Sequence, residues 1–558
     1  MGGLVRHLAL LAAMCVLGGC GNQFAALTGG SSSSDDLTEI QKSDQKPGSF
    51  VLTGVLLDRL SKLPNPSKVS DAELRAVADP MVGKHITIND LRQIATSMES
   101  KFREAGYPYA RVILPPQKIK GGLVTFSVVE GWVQSVSVTG PASVEKAQTE
   151  LRLKDLENTG PVAVDDIERE VALLQRTPGL QSHVAIARGT EGPGSMKLIA
   201  DAKRKDPKYL LNVQNYGTPS LGREGVTIYA EVPGAAPYGD KFEFAAYNTI
   251  QYKEQSSAQL TYERGLTASG LTGRVSGTYA RAKPTGAVAV LGLASESETF
   301  DVSLSYPVLL RHRSSIDASV GFAYDDFVGE LFNGTVPFSN DHTRSVYLGV
   351  DGKTRISGWR LAGGTQLRRG VDLFNASHLH DSNLARPEAD PEAVITLGNF
   401  DVTAPEFYGF RAKAHFAGQY SARPLMAVDE FSFGNYTIVR GYDPGSAAGD
   451  SAVAAAFDIS GFQQSFWQDR VGAELTAFYD VGRYWNHDST GTAQRTISSF
   501  GGGVRVTFSG LMRADLTYAV PTRAPLGQGE SKPVPRLLFS ITTDIEALWE
   551  KVRDAWGS

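Results

Sequence analysis

Between residues 208 and 545 the chain alternates apolar and polar side chains with a period of two, in runs of about ten residues, the length of a tilted strand that crosses a bilayer. Thr299 to Val308 sets Phe300, Val302, Leu304, Tyr306 and Val308 on one face and Asp301, Ser303 and Ser305 on the other. Ile316, Ala318, Val320, Phe322 and Tyr324 alternate likewise with Asp317, Ser319, Gly321, Ala323 and Asp325. A water-soluble sandwich also alternates, but its strands average ~5–6 residues. These runs point instead to a wall with lipid outside and a polar lumen inside. No segment approaches the ~18 uninterrupted apolar residues of a spanning helix, so an integral protein of this sequence must close its strands into a barrel.

Sixteen runs can be counted, beginning near Tyr209, Val226, Phe242, Ala258, Gly273, Phe300, Ile316, Arg344, Trp359, Phe407, Glu430, Ser451, Gly472, Ser498, Met512 and Arg536. An even number is what a single-chain bacterial barrel requires. If the preceding residues are periplasmic, the first strand runs outward. The segment from Asp372 to Pro405 and the loop after the eleventh strand then lie outside, and the turn from Pro233 to Asp240 lies inside.

The N-terminus agrees with export. Arg6 and His7 precede the apolar run Leu8 to Leu17, too short to span a bilayer and shaped like a secretory signal. Leu17-Gly18-Gly19-Cys20 resembles a lipobox, in which Cys20 would be lipidated; a chance cysteine in an ordinary signal peptide is the alternative. Residues 1–20 are therefore read as a signal peptide with lipobox, and 21–49 as a flexible tether with too little apolar content to fold alone. Both cysteines, Cys15 and Cys20, fall in this region, so the rest of the chain has no disulfide framework, cysteine metal site or thiol nucleophile. Lys and Arg (55) nearly balance Asp and Glu (60), which leaves no basic excess for a nucleic acid.

Residues 50–131 and 132–205 each read strand, helix, helix, strand, strand. In the first copy Ser70 and Glu73 form a capping-box pattern, and Leu91, Ile94, Ala95, Met98 and Phe102 share one helical face that stops at Gly106. Strands follow at Ala110 to Leu114 and Leu123 to Glu130. The second copy has a strand to Thr139, helices near Val144 to Leu156 and Val164 to Gln175, and strands near His183 to Ala187 and Met196 to Ala202. Open sheet edges of this kind capture extended peptides by strand addition; spacers with protected edges are the alternative.

Three groups of residues carry a family resemblance. The first is Phe431-Ser432-Phe433-Gly434-Asn435-Tyr436-Thr437-Ile438-Val439-Arg440-Gly441-Tyr442, followed by Gly449-Asp450; the second is Phe478-Tyr479-Asp480-Val481-Gly482. The third lies in the first module: Gly106-Tyr107, Leu114-Pro115-Pro116-Gln117 and Val129-Glu130-Gly131. Together they resemble the TpsB transporters of two-partner secretion, the haemolysin secretion/activation type related to BamA-like outer-membrane machines. The third group is similar to that family's POTRA signature.

The resemblance implies two POTRA modules and a sixteen-stranded antiparallel transmembrane β-barrel over 206–545, which leaves 546–558 as a C-terminal extension. It implies that the loop of Val439, Arg440, Gly441 and Tyr442 folds into the barrel, where Arg440 meets Asp480. The alternation along Val471, Ala473, Leu475, Ala477, Tyr479 and Val481 independently turns Glu474, Phe478 and Asp480 to the lumen. By the same resemblance the modules capture an unfolded exoprotein of the TpsA type, an adhesin or haemolysin, and the barrel secretes it without ATP. No Gly-x-x-x-x-Gly-Lys loop is present. The expected setting is a monomer in outer-membrane lipid with its N-terminal domains in the periplasm, with no cofactor, metal or nucleic acid.

Two features depart from the family pattern. Residues 21–49 show no helical period for the usual plug helix, and the last strand is followed by Glu546 to Ser558 rather than by a terminal aromatic. Leu548, Trp549, Val552 and Trp556 have the spacing of an amphipathic helix on the inner membrane face, with a frayed tail as the alternative. A barrel-assembly insertase and a passive porin remain as alternative functions. An enzyme is not expected, because neither a Gly-x-Ser-x-Gly elbow nor His-Glu-x-x-His occurs. His378-Leu379-His380-Asp381 reads as a solvated loop rather than a metal site.

Overall fold

The computed structural model describes residues 49–556 apart from 62–66, 141–142, 252–253, 435–437, 469, 489–490 and 527–530. Cys20, the signal, nearly all of the tether and Asn435-Tyr436-Thr437 lie outside the described residues. The chain divides near residue 206 into two compact units.

The N-terminal unit holds the two modules. In the first, β1 (Phe50–Val51) pairs with β3 (His85–Ile86), a short ladder that the sequence did not foretell, while β2 (Gly54–Arg59) lies parallel to β5 (Leu123–Val129). β4 (Arg111–Ile113) runs antiparallel along the other side of β5. Helix α1 (Asp71–Ala78) starts on the Ser70–Glu73 box: Glu73 N–H donates to the Ser70 hydroxyl at 3.2 Å, and Ser70 N–H to the Glu73 carboxylate at 2.8 Å. Helix α2 (Ile88–Glu104) uses Thr87 and Asp90 in the same way. Its stripe of Leu91, Ile94, Ala95, Met98 and Phe102 is buried against Leu52, Leu74, Val124, Phe126 and Val128. Each large side chain removed from water there contributes roughly 1.5–3 kcal/mol. α2 ends at Gly106, whose φ of +88° is the left-handed conformation that lets a chain leave a helix.

The second module repeats the plan with β6 (Trp132–Thr139), α3 (Val144–Lys154), α4 (Val164–Arg176), β7 (Leu180–Arg188) and β8 (Ser195–Arg204). β8 is central, parallel to β6 and antiparallel to β7. The two modules are joined by backbone hydrogen bonds: Val162 N–H to Gly131 C=O and Val164 N–H to Gly106 C=O, both 2.9 Å. Tyr109 of the first module also packs on the core of the second.

The C-terminal unit is a closed antiparallel barrel of sixteen strands, running from Lys208–Gln214 to Arg536–Asp544. Phe300, Val302, Leu304 and Tyr306 all face outward, as their alternation requires, and the partners between them face in. The longest connections, 371–393 and 422–450, lie on the rim opposite the one where the first strand begins. Helix α5 (Ile545–Trp556) follows the last strand.

The count of sixteen agrees with the sequence, but two strands differ. The tenth is Val394–Thr403, inside the segment read as an external loop, and the eleventh is Arg411–Ser421 rather than a run from Glu430. Val394-Ile395-Thr396-Leu397 hides its period because Ile395 and Leu397 face inward onto Leu425 and Ala393. Phe431–Phe433 alternates but, among the described residues, pairs only with Ala447–Gly449, as a hairpin inside the 422–450 loop. Phe407 lies in the turn before the eleventh strand, and Pro405 lies in that same turn, on the rim where the first strand begins.

Candidate functional site: a loop folded into the barrel

The loop 422–450 descends into the barrel, and Arg440 is its deepest polar anchor. Asp480 sits on the thirteenth strand, Val471–Asp488, between the outward side chains of Tyr479 and Val481, and is fully buried. The Arg440 guanidinium forks onto it, with Nε donating to Oδ2 at 2.9 Å and Nη2 to Oδ1 at 2.6 Å. The backbone N–H of Arg440 donates to the same carboxylate at 2.9 Å. Nη1 reaches Asp458 on the twelfth strand at 2.6 Å, and the Phe478 ring lies 3.8 Å beneath the cation. Such a bidentate charged pair is stronger than a neutral hydrogen bond. Removing one partner leaves a buried charge uncompensated, at a cost of about 3–5 kcal/mol.

The neighbours of Arg440 explain why small or specific residues flank it. Val439 is fully buried at φ +55°, a left-handed conformation that costs a β-branched residue about 1–3 kcal/mol. Gly441 passes so close to the wall that a Cβ would lie 2.8 Å from Ser499 Cβ and 2.9 Å from Pro521 N. Tyr442 is fully buried; its hydroxyl donates to Arg523 C=O at 2.7 Å and accepts Arg523 N–H at 3.1 Å. Arg536 donates to Tyr442 C=O at 2.6 Å. On the wall, Gly482 leaves room for Phe433, whose ring would stand 2.2 Å from an added Cβ.

A second buried ion cluster closes the other end of the loop. Asp450 is fully buried and accepts Leu425 N–H at 2.8 Å, His487 N–H at 2.7 Å and Arg386 Nη1 at 2.5 Å. Arg386 comes from the 371–393 loop and also pairs with Glu430 at 3.0 Å. Gly449 precedes Asp450 with its Cα facing Tyr484, where a Cβ would approach within 3.1 Å. Sequence reasoning found Gly449 and Asp450 but not Arg386, Glu430 or Asp458. Asp458 carried a signal, since Phe457 and Ile459 face outward and leave it in the lumen. Arg386 carried none, being one charge in an aperiodic loop. Lower on the wall Glu474 pairs with Arg411 and, at 3.3 Å, with Arg505.

Comparison with known proteins identifies the family. Residues 194–506 match the family described as haemolysin secretion/activation protein ShlB/FhaC/HecB, and residues 59–131 match the ShlB-type POTRA domain. The chain belongs to the haemolysin secretion/activation family. It is 22% identical over 494 residues to the heme/hemopexin transporter protein HuxB of a Haemophilus influenzae strain, covering 85% of this chain and 84% of that one. It is 21% identical over 434 residues to the outer membrane transporter CdiB of Dickeya dadantii, covering 75% and 74%. The structure of CdiB from Escherichia coli shares the fold, with a TM-score of 0.73 at 15% identity over 91% of this chain and 93% of that one. As a family member the protein is a TpsB-type transporter of two-partner secretion, its barrel in the outer membrane and its N-terminal modules in the periplasm. The rim opposite the start of the first strand is therefore external.

The POTRA signature of this TpsB chain is a set of joints. The Gln117 side chain replaces a missing strand: its Oε1 accepts Thr125 N–H at 2.8 Å and its Nε2 donates to Thr125 C=O at 2.7 Å, beyond the point where β4 ends. Nε2 also reaches Pro115 C=O at 3.3 Å, so the Pro-Pro corner sets the amide. Tyr107 is buried in the first core, its N–H donating to Phe102 C=O at 2.8 Å. Glu130 is buried and pairs with Arg59 at 2.9 Å. Gly131 is required because a Cβ would lie 2.5 Å from Tyr109 Cβ. The Tyr109 hydroxyl titrates above its usual value, chiefly through burial and then through the charge of Glu168. In the external loop His378 stays 62% exposed beside Asp372 and Asp381, and no cluster suited to a metal is present among the described residues.

Proposed function

We propose that the two POTRA modules capture an unfolded TpsA-type exoprotein in the periplasm, and that the barrel passes it outward once the Arg440 loop leaves the wall. The observation that carries this reading is the mode of attachment of the loop. Arg440 holds Asp480 and Asp458 by hydrogen bonds, and such contacts can be exchanged for hydrogen bonds to water or to a passing backbone. Capture has support in the sheet edges. β7 offers nine residues and, among the described residues, pairs only with β8, so an extended chain can add to its free side.

The exoprotein would be an adhesin or haemolysin; the relative HuxB is a heme/hemopexin transporter protein. The transporter works as a monomer in outer-membrane lipid, and folding of the exoprotein outside supplies direction in place of ATP. The family match favours secretion over barrel assembly or passive diffusion. The test is mass spectrometry of culture medium from cells carrying the wild type, a deletion and Arg440→Ala, at matched barrel abundance. Loss of one or two large secreted proteins in the deletion, and their decrease in Arg440→Ala, is expected. A medium unchanged in both, in cells that express the cargo, would overturn the reading.

A further inference from the structure

We infer that helix α5 is an interfacial anchor, bedded in the phospholipid leaflet that faces the periplasm, at the seam where the first and last strands close the barrel. The helix has no linker. Asp544 is both the last residue of the final strand and the cap of the helix: its N–H donates to Leu511 C=O at 3.1 Å, while its carboxylate accepts Glu546 N–H at 3.1 Å and Ala547 N–H at 3.2 Å. The helix must therefore leave the barrel at the periplasmic rim itself.

Depth follows from strand geometry. A tilted strand climbs about 2.5 Å per residue along the membrane normal, so Asp544 lies roughly 7 Å beyond the lipid-facing Ile541. That is about the thickness of one headgroup layer. The apolar row of Leu537 and Ile541 on the strand is taken up beyond Thr543 by Ile545, Leu548 and Trp549 on the helix, all exposed to the surroundings. Glu546 and Arg553, both exposed, lie along one flank of this row. Trp549 is 68% exposed, which in water would leave a large apolar ring uncovered, whereas tryptophan is favoured at the level of lipid headgroups.

The location matters because the seam is the shortest ladder of the barrel. Five residue pairs join the last strand to the first, from Ser540–Gln214 to Asp544–Leu210, against seven between the first and second. Side chains lengthen it: Asn215 Oδ1 accepts Phe539 N–H at 2.7 Å, and Asn215 Nδ2 donates to Leu537 C=O at 2.8 Å. The helix sits at the opposite, periplasmic end of that ladder. An amphipathic helix held in the interface there would resist parting of the two strands.

The test uses the full chain in phosphatidylcholine vesicles, plain or with the acyl chains dibrominated near the headgroup. Wild-type fluorescence minus that of Trp549→Phe isolates the Trp549 signal. The bromolipid should reduce this signal about two-fold or more, with little quenching by aqueous iodide. Equal signal in both vesicles, with strong iodide quenching, would overturn the proposal. In a second arm, Leu548→Glu with Trp549→Glu should lower by several degrees the temperature at which the barrel loses its compact gel mobility. An unchanged temperature would overturn the role at the seam.

Discussion

The POTRA modules and the loop inside the barrel are both densely packed, but they are held by opposite means. Each module closes over a continuous apolar core, such as Phe102, Phe126, Met98 and Leu74 in the first. The inner loop buries apolar side chains in separate clusters, around Phe433, Val439, Tyr442 and Tyr484 and at Leu425 and Met426, and adds ionic fixed points: Arg440 with Asp480 and Asp458, and Arg386 with Asp450 and Glu430. Apolar burial has no substitute partner in water, so the modules are permanent bodies. Polar contacts can be handed over one by one to water or to another chain, so the loop is a fastening that can open without unfolding its support.

That contrast can be broken at its strongest point first. Phe126→Ala should cost the first module about 3–5 kcal/mol, seen as protease sensitivity of residues 50–131 at a barrel gel mobility equal to wild type. Arg386→Ala removes the cation that Asp450 and Glu430 share and should loosen the external loops by about 3 kcal/mol, seen as cleavage of 371–393 by protease added to intact cells. Arg440→Lys keeps the charge but loses the fork and should weaken loop docking by about 2 kcal/mol, which planar-bilayer recording will show as a larger or more frequent open conductance. Gln117→Ala leaves Thr125 without its side-chain partner and should lower module stability by only about 1 kcal/mol, measured by urea unfolding.

Much of this was legible in the sequence because one period dominates each region. The helix stripe from Leu91 to Phe102 and the strand alternation around Phe300 and Ile316 each have a single wet or lipid face, so the pattern survives. It failed where an inward face is also apolar. Ile395 and Leu397 of the tenth strand pack beneath the external loops, and Phe431 and Phe433 alternate within a loop that has its own small core. A period of two cannot say whether its apolar face meets lipid or a folded loop. For the site, Arg440 and Asp480 were named through the motif, and the lumen side of Asp480 through alternation as well. Arg386 and Glu430 were not found, because their pairing depends on two loops meeting in space and neither loop has a period.

The most direct measurement is amide hydrogen exchange on the full chain in lipid nanodiscs, comparing wild type with Arg440→Ala in the segment 438–449 and in the core strand Leu123–Val129. If the loop is an exchangeable ionic fastening, Arg440→Ala will speed exchange in 438–449 by roughly 150-fold or more, the equivalent of about 3 kcal/mol, and leave Leu123–Val129 as it was. Unchanged exchange in 438–449 would contradict the account, because the loop would then be held by its packing and not by the arginine.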